Sequence, residues 1–199
     1  MIKAIVFDLD GMVYLTAEMF TERYVREFEI DSEVLMPFFK NQLGECQLGE
    51  KDLKEELALV LNDWKWKGTV DELLSYWFED GDVNFEMMKL VKDLQEQGIK
   101  CGLCTNNEKY RFEYLKRNFD LDNKFDFIIT SYESGLKKPD PEIYKVIVKE
   151  TRFSPDEIIV CDDRDKNVEL IGSLGFETYV YSKFDYFVEY LKQLNILKI

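Results

Sequence analysis

Histidine is absent from this chain of 199 residues. Its absence excludes histidine-based triads, imidazole metal ligands and any imidazole proton transfer. An enzyme of this composition working near neutral pH must move protons and charge with carboxylates, lysine, hydroxyls or a metal ion. Basic residues are also scarce: 26 Lys and Arg stand against 40 Asp and Glu, giving a formal charge of −14. Such a field repels nucleic-acid backbones and anionic membranes, so neither is expected as a partner. It repels an anionic substrate too, unless a local cation and a few lysines reverse the sign at the site. No apolar run approaches the length of a membrane span. The apolar N-terminal stretch is interrupted by Asp8 and Asp10 and has no basic, small-residue-cleaved leader pattern. A soluble, cytoplasmic protein is the expectation. Neither a Gly-rich dinucleotide fingerprint nor a Walker loop occurs, which removes nucleotide-cofactor readings.

Cysteine is limited to Cys46, Cys101, Cys104 and Cys161. Cys101 and Cys104 form a C-x-x-C, but no second pair and no histidine is present to complete a zinc site. Both lie in the apolar run Ile99 to Cys104, and residues three apart on a strand face opposite sides. Buried thiols in a reducing compartment are the expectation.

What is present begins with Lys3-Ala4-Ile5-Val6-Phe7-Asp8-Leu9-Asp10-Gly11. An apolar run of strand-forming residues reads as a buried strand and ends in two acids two positions apart. In an extended chain such side chains point the same way. Two crowded carboxylates make most sense with a cation or a proton between them. Gly11 then lets the chain turn away at little steric cost.

From Tyr14 to Asp82 the pattern is helical throughout, with no convincing strand. Apolar faces recur at Phe20/Tyr24/Val25/Phe28, at Val34/Leu35/Phe38/Phe39 and at Leu53/Leu57/Val60/Leu61/Trp64. Thr69 and Glu72 form a capping box before Leu73, Leu74, Trp77 and Phe78. Four helices of one mixed domain, or a helical insertion folded as a separate lid, both fit. From Val83 onward helices and strands alternate. Strands are expected at Ile99–Cys104, Phe125–Thr130, Ile158–Cys161 and Thr178–Tyr181, with Asp140 capping a helix that starts at Pro141. Five strands joined by helices predict an α/β fold, a three-layer Rossmann-like core with a mainly parallel sheet; taken as a separate lid, the helical stretch adds a small all-helical cap. The core is expected over 1–14 and 83–199, and the cap over 15–82. In such sheets ligands bind beyond the carboxyl ends of the strands. Those ends carry Asp8/Asp10, Thr105/Asn106, Thr130/Ser131 and Asp162/Asp163.

With these residues assembled, the chain resembles the haloacid dehalogenase-like hydrolase superfamily over essentially its whole length. The matching elements, in order, are Asp8-Leu9-Asp10-Gly11, Thr105-Asn106, Gly135 to Pro141 with Lys137-Lys138-Pro139, and Val160-Cys161-Asp162-Asp163 with Asn167. The resemblance implies that Asp8 is a nucleophile that forms an aspartyl-phosphate. Asp10 would protonate the leaving oxygen and then deprotonate water. Thr105 and Asn106 would bind phosphoryl oxygens, and Lys138 would balance their charge, leaving Lys137 solvated. Thr105 is also placed where a helix N-cap would stand. Mg²⁺ would be held by Asp8, the backbone carbonyl of Asp10 and Asp163, with Asp162 acting through water. Asn167 would support that loop. Asp10 disfavours the dehalogenase branch, whose leaving group needs no acid.

The expected activity is therefore Mg²⁺-dependent hydrolysis of a small phosphorylated metabolite, a sugar phosphate among the candidates, by a monomer or homodimer. A phosphomutase of the same superfamily, a receiver-like phosphoacceptor and a silent binding protein are the alternatives. A helical cap could exclude water and supply substrate contacts. Phe38, Phe39, Trp64 and Trp66 could line it, although an aromatic stripe is more often core than pocket.

Overall fold

A computed structural model describes residues 1–197; Lys198 and Ile199, which end the expected core segment, lie outside the described residues. In chain order the elements are β1 (Ala4–Phe7), β2 (Tyr14–Thr16), α1 (Phe20–Phe28), α2 (Ser32–Lys40), α3 (Gln42–Gln47), α4 (Leu53–Val60), α5 (Val70–Phe78) and β3 (Gly81–Val83). There follow α6 (Phe85–Glu96), β4 (Lys100–Thr105), α7 (Lys109–Phe119), α8 (Leu121–Lys124), β5 (Phe127–Thr130) and α9 (Ser131–Ser134). The chain continues through α10 (Pro141–Thr151), β6 (Ile158–Asp162), α11 (Asp165–Ser173), β7 (Glu177–Val180) and α12 (Phe184–Gln193).

The five longer strands form one parallel sheet in the order β5-β4-β1-β6-β7. All four residues of β1 are buried, as a central strand covered on both faces requires. Its side chains alternate between two layers. Ile5 and Phe7 pack with Met87, Leu90, Leu115 and Phe187 from α6, α7 and α12. Ala4 and Val6 pack with Ile143, Tyr144, Ile147 and Ile171 from α10 and α11. The apolar run of β1 is thus explained by helices on both sides. Cys101 belongs to the first layer and Cys104 to the second, and all four cysteines are free and buried. From β1 the chain builds outward to β4 and β5 and then crosses to β6 on the other flank. The switch in direction opens a crevice beyond the carboxyl ends of β1, β4 and β6.

Helices α1–α5 enclose their own cluster, which includes Phe20, Tyr24, Leu35, Phe38, Leu53, Leu57, Trp64 and Leu73. The capping box of Thr69 and Glu72 starts α5, and Pro37 sits inside α2 without ending it. Two details differ from the reading of the sequence. The helical stretch carries a fifth helix, the short α3. It is also entered and left through an antiparallel ribbon, with Tyr14 opposite Val83 and Thr16 opposite Gly81. Three-residue strands are too short for alternation to register, and Gly81 lets the partner approach: a Cβ there would lie 2.5 Å from the Leu15 carbonyl oxygen.

The helical segment rests against the sheet domain through Tyr110, whose hydroxyl donates to Asp52 Oδ2 at 2.6 Å, and Tyr14, whose hydroxyl donates to the Phe78 carbonyl at 3.1 Å. Lys137, expected to be solvated, is half-buried and reaches the Gly44 carbonyl of α3 at 3.5 Å. The packing of α3 over the loop accounts for that difference. Among the described residues no helix is long and apolar enough to cross a membrane.

Candidate active site

Asp8 is the first residue after β1, and its N–H donates to the Cys161 carbonyl of β6 at 3.0 Å. The strand pairing therefore delivers its carboxylate to the mouth of the crevice. Lys138 Nζ stands 2.9 Å from Asp8 Oδ1 and 2.6 Å from Asp162 Oδ2. Burial raises the Asp8 carboxyl to about 6, helped by the Asp162 and Asp10 charges and opposed by Lys138. Burial works against the charge on Lys138 as well, but Asp8 and Asp162 outweigh it and hold the ammonium protonated. Asp162 is wholly buried at the end of β6. Its oxygens accept from Lys138, from the Arg164 N–H at 3.0 Å, and from Asn167 Nδ2 at 2.9 Å each.

The lysine is also fixed through its main chain. Asn106, just past β4, donates from Nδ2 to the Lys138 carbonyl at 2.7 Å and accepts the Lys138 N–H on Oδ1 at 2.8 Å. The Asn106 side chain is thereby spent on the Lys138 backbone, leaving its own N–H as the group that could face an anion. Gln47 of α3 donates to the Asn106 carbonyl at 3.0 Å. The Lys138–Pro139 peptide is cis, and Asp140 caps α10 by accepting the Glu142 N–H at 2.9 Å.

Asp10 faces a different set of partners. Arg111 of α7 grips both of its oxygens, Nη1 to Oδ2 at 2.8 Å and Nη2 to Oδ1 at 2.5 Å. Asn107 donates from Nδ2 to Asp10 Oδ2 at 2.9 Å and to Thr105 Oγ1 at 2.8 Å, and its Oδ1 accepts Arg111 Nη1. Burial pushes the Asp10 carboxyl up, but the charge and hydrogen bonds of Arg111, with Asn107, outweigh it and hold the group below the usual range. Thr105 Oγ1 accepts from Asn107, so its own hydroxyl hydrogen remains available to a ligand. It is not the cap of α7: Glu108 accepts the Tyr110 and Arg111 N–H groups there.

Oxygens of Asp8, Asp162 and Asp163 come within 4.8 Å of one another. With a single ammonium between them, three carboxylates leave excess negative charge, and an all-oxygen donor set fits Mg²⁺. Asp162 is already occupied by protein donors, whereas Asp163 is half-exposed at the cavity. Gly11, at φ +77°, keeps this side open, since a Cβ there would lie 2.7 Å from Asp163 Oδ2. Asp10 contributes no side-chain oxygen to the group.

Asp8, Asp10, Thr105, Asn106, Lys138 and Asp163 all line one cavity of about 380 Å³, with Asp162 beneath it. The structure adds Asn107 and Arg111, which the reading of the sequence had passed over. The signal available was slight: an Asn beside Thr105-Asn106 and an arginine four residues on, one helical turn away. From the helical segment the cavity takes Phe20, Phe39 and Trp77. Of the aromatics expected there, Phe38 and Trp64 are core residues instead, while Trp66 packs against the helical cluster.

A family model described as haloacid dehalogenase-like hydrolase matches residues 2–175. A phosphorylated carbohydrates phosphatase of Thermotoga maritima is 24% identical over 183 residues, covering 88% of this chain and 82% of the relative. Bifunctional epoxide hydrolase 2 of Sus scrofa is 27% identical over 155 residues; the match spans 75% of this chain but only 26% of that protein's length. Among solved structures, a haloacid dehalogenase family enzyme of Bacteroides thetaiotaomicron, in complex with magnesium and inorganic phosphate, superposes with a TM-score of 0.80 at 19% identity, covering 94% of this chain and 99% of the other. At that identity the likeness is one of fold.

Proposed function

The chain belongs to the haloacid dehalogenase-like hydrolases, and from that membership we propose that it is a Mg²⁺-dependent phosphomonoesterase acting on a small phosphorylated metabolite. The observation that carries this reading is Lys138, buried and shared between Asp8 and Asp162 at the point where Asp163 adds a third carboxylate. A cation-balanced carboxylate beside a free hydroxyl suits attack on an anionic phosphoryl group. The Thermotoga phosphatase and the magnesium and phosphate of the Bacteroides complex support it.

In this reading Asp8, Asp163 and the Asp10 carbonyl would hold the ion, with Asp162 supporting from beneath. The ion supplies charge neutralisation, letting a dianionic ester approach an acidic protein. Asp8 attacks phosphorus and the bond to the leaving oxygen breaks as Asp10 gives that oxygen a proton. Thr105 and the Asn106 N–H hold phosphoryl oxygens, and Lys138 balances the charge that builds on them. Water then attacks the aspartyl-phosphate, Asp10 takes its proton, and phosphate leaves with Asp8 restored. Arg111 favours the ionised form of Asp10, the form this second half needs; the proton it gives the leaving oxygen in the first half is the one it took from water in the preceding turnover. The segment 15–82 serves as the cap and 1–14 with 83–199 as the catalytic core.

The test is phosphate release from p-nitrophenyl phosphate and from a panel of metabolite esters, with Mg²⁺ and with a chelator. Turnover that needs the metal and is abolished in Asp8→Asn is the expected result. Failure on every ester, or full activity in that variant, overturns the reading. Transfer of phosphate within the substrate without release would point to a phosphomutase. A stable phosphoprotein without turnover would point to a phosphoacceptor.

A further inference from the structure

Resting on the phosphomonoesterase reading, we propose that the group esterified to the phosphate is uncharged and carries a flat apolar ring, rather than a polyol chain or a second anion. The cavity of about 380 Å³ has two chemically distinct ends. The sheet end gathers the polar groups already described. The helical end is walled by Met19, Phe20, Phe39, Leu43 and Trp77.

The rings of that wall are fixed before any ligand arrives. Phe20 stacks on Trp77 with centroids 4.7 Å apart and planes at 28°, and Phe39 meets Trp77 edge-on at 5.3 Å. Phe39 is braced from behind by Trp64, stacked at 5.9 Å. Such a corner offers area to a flat ring without ordering flexible side chains on binding. A volume of this size accommodates a phosphate and a ring system of one or two rings.

A polyol would find few partners at that end. The polar residues there are Thr16, Thr21, Gln47 and Asp80. The Gln47 amide nitrogen is committed to the Asn106 carbonyl, and Asp80 is 3.7 Å from Arg23. The two threonine hydroxyls, Gln47 Oε1 and the Asp80 carboxylate remain, mostly acceptors and too few for the several hydroxyls of a polyol, and hydroxyls that lose water without a partner weaken binding. A second anion fares no better. Lys138 and Arg111 are both taken up by carboxylates, and Arg164 stands exposed at the rim beside Asp163. Asp80 and Glu108 also line the space.

The experiment compares kcat/KM for 2-naphthylmethyl phosphate, ribitol 5-phosphate and a sugar bisphosphate at fixed Mg²⁺. The first two both leave as alkoxides, so leaving-group acidity does not decide the ratio. A preference of about ten-fold or more for the ring ester is expected, and Leu43→Gln should shrink it. Phe39→Leu, a milder change to the braced corner, should do the same. Equal or better turnover of ribitol phosphate or the bisphosphate, or a ratio untouched by both variants, overturns the inference. If no ester is hydrolysed, the phosphatase reading has failed, and binding of the matching non-hydrolysable phosphonates to the unaltered protein, followed by calorimetry, decides the ring question by itself. Tighter binding of the naphthyl phosphonate supports the inference, and equal or weaker binding overturns it.

Discussion

Arg111 holds Asp10 with a planar fork that an ammonium cannot reproduce. Arg111→Lys keeps the charge but loses one of the two bonds and the contact to Asn107. We expect kcat to fall about ten-fold with KM little changed, the pattern of a group that acts through the transition state; steady-state kinetics with Arg111→Ala alongside check it. Asp8, raised to about 6 by burial and by neighbouring carboxylates, is protonated below that pH, so a cation must displace its proton. Mg²⁺ affinity measured by calorimetry should be flat above pH 6 and fall by about ten-fold per unit below it. Gly11→Ala should weaken Mg²⁺ binding as well, because its Cβ would press on Asp163 Oδ2 from a backbone conformation that alanine resists. At this scale the sequence was readable where motif residues are near strand ends, as with Asp8, Thr105 and Lys138. Arg111 was not. An arginine on an amphipathic helix reads as solvated surface, and its partner Asp10 is 101 positions away.

The sheet has its own point of tight fit at Gly102 of β4, opposite Phe127 of β5 in the register. A Cβ at that position would overlap the Phe127 ring. Gly102→Ala is expected to destabilise the protein by about 1–3 kcal/mol, read as a lower denaturation midpoint with an unchanged slope. The five core strands and the capped helices α5 and α10 were legible because period and capping residues agree over many positions. The ribbon of β2 and β3 was not, since three residues carry too little pattern. The helix α3 was missed because six residues span less than two turns, too few for a helical period to register, and it supplies Gln47 and Leu43 to the cavity.

As a whole the molecule carries −14, and an anionic ester, the substrate proposed above, would approach against that field. Raising ionic strength from about 10 mM to about 150 mM shortens the range of the repulsion from roughly 30 Å to roughly 8 Å. At saturating Mg²⁺, kcat/KM for a phosphomonoester should therefore rise by a few-fold over that range; an electropositive funnel would produce a fall. The overall α/β architecture was visible in the sequence because helices and strands alternate along it. How the helical segment meets the sheet was not, because those contacts join side chains far apart in the chain: Gln47 to Asn106, Asp52 to Tyr110, Lys137 to Gly44.

The contacts around Lys138 bear on the cost of ordering the site. A lysine side chain gives up roughly 1.5–2 kcal/mol of rotational freedom when it is immobilised. Lys138 is pinned at its backbone by the Asn106 amide and at its tip by Asp8 and Asp162. Its entropy was lost when the chain folded, so on the phosphatase reading an arriving phosphate would meet an ammonium already in position.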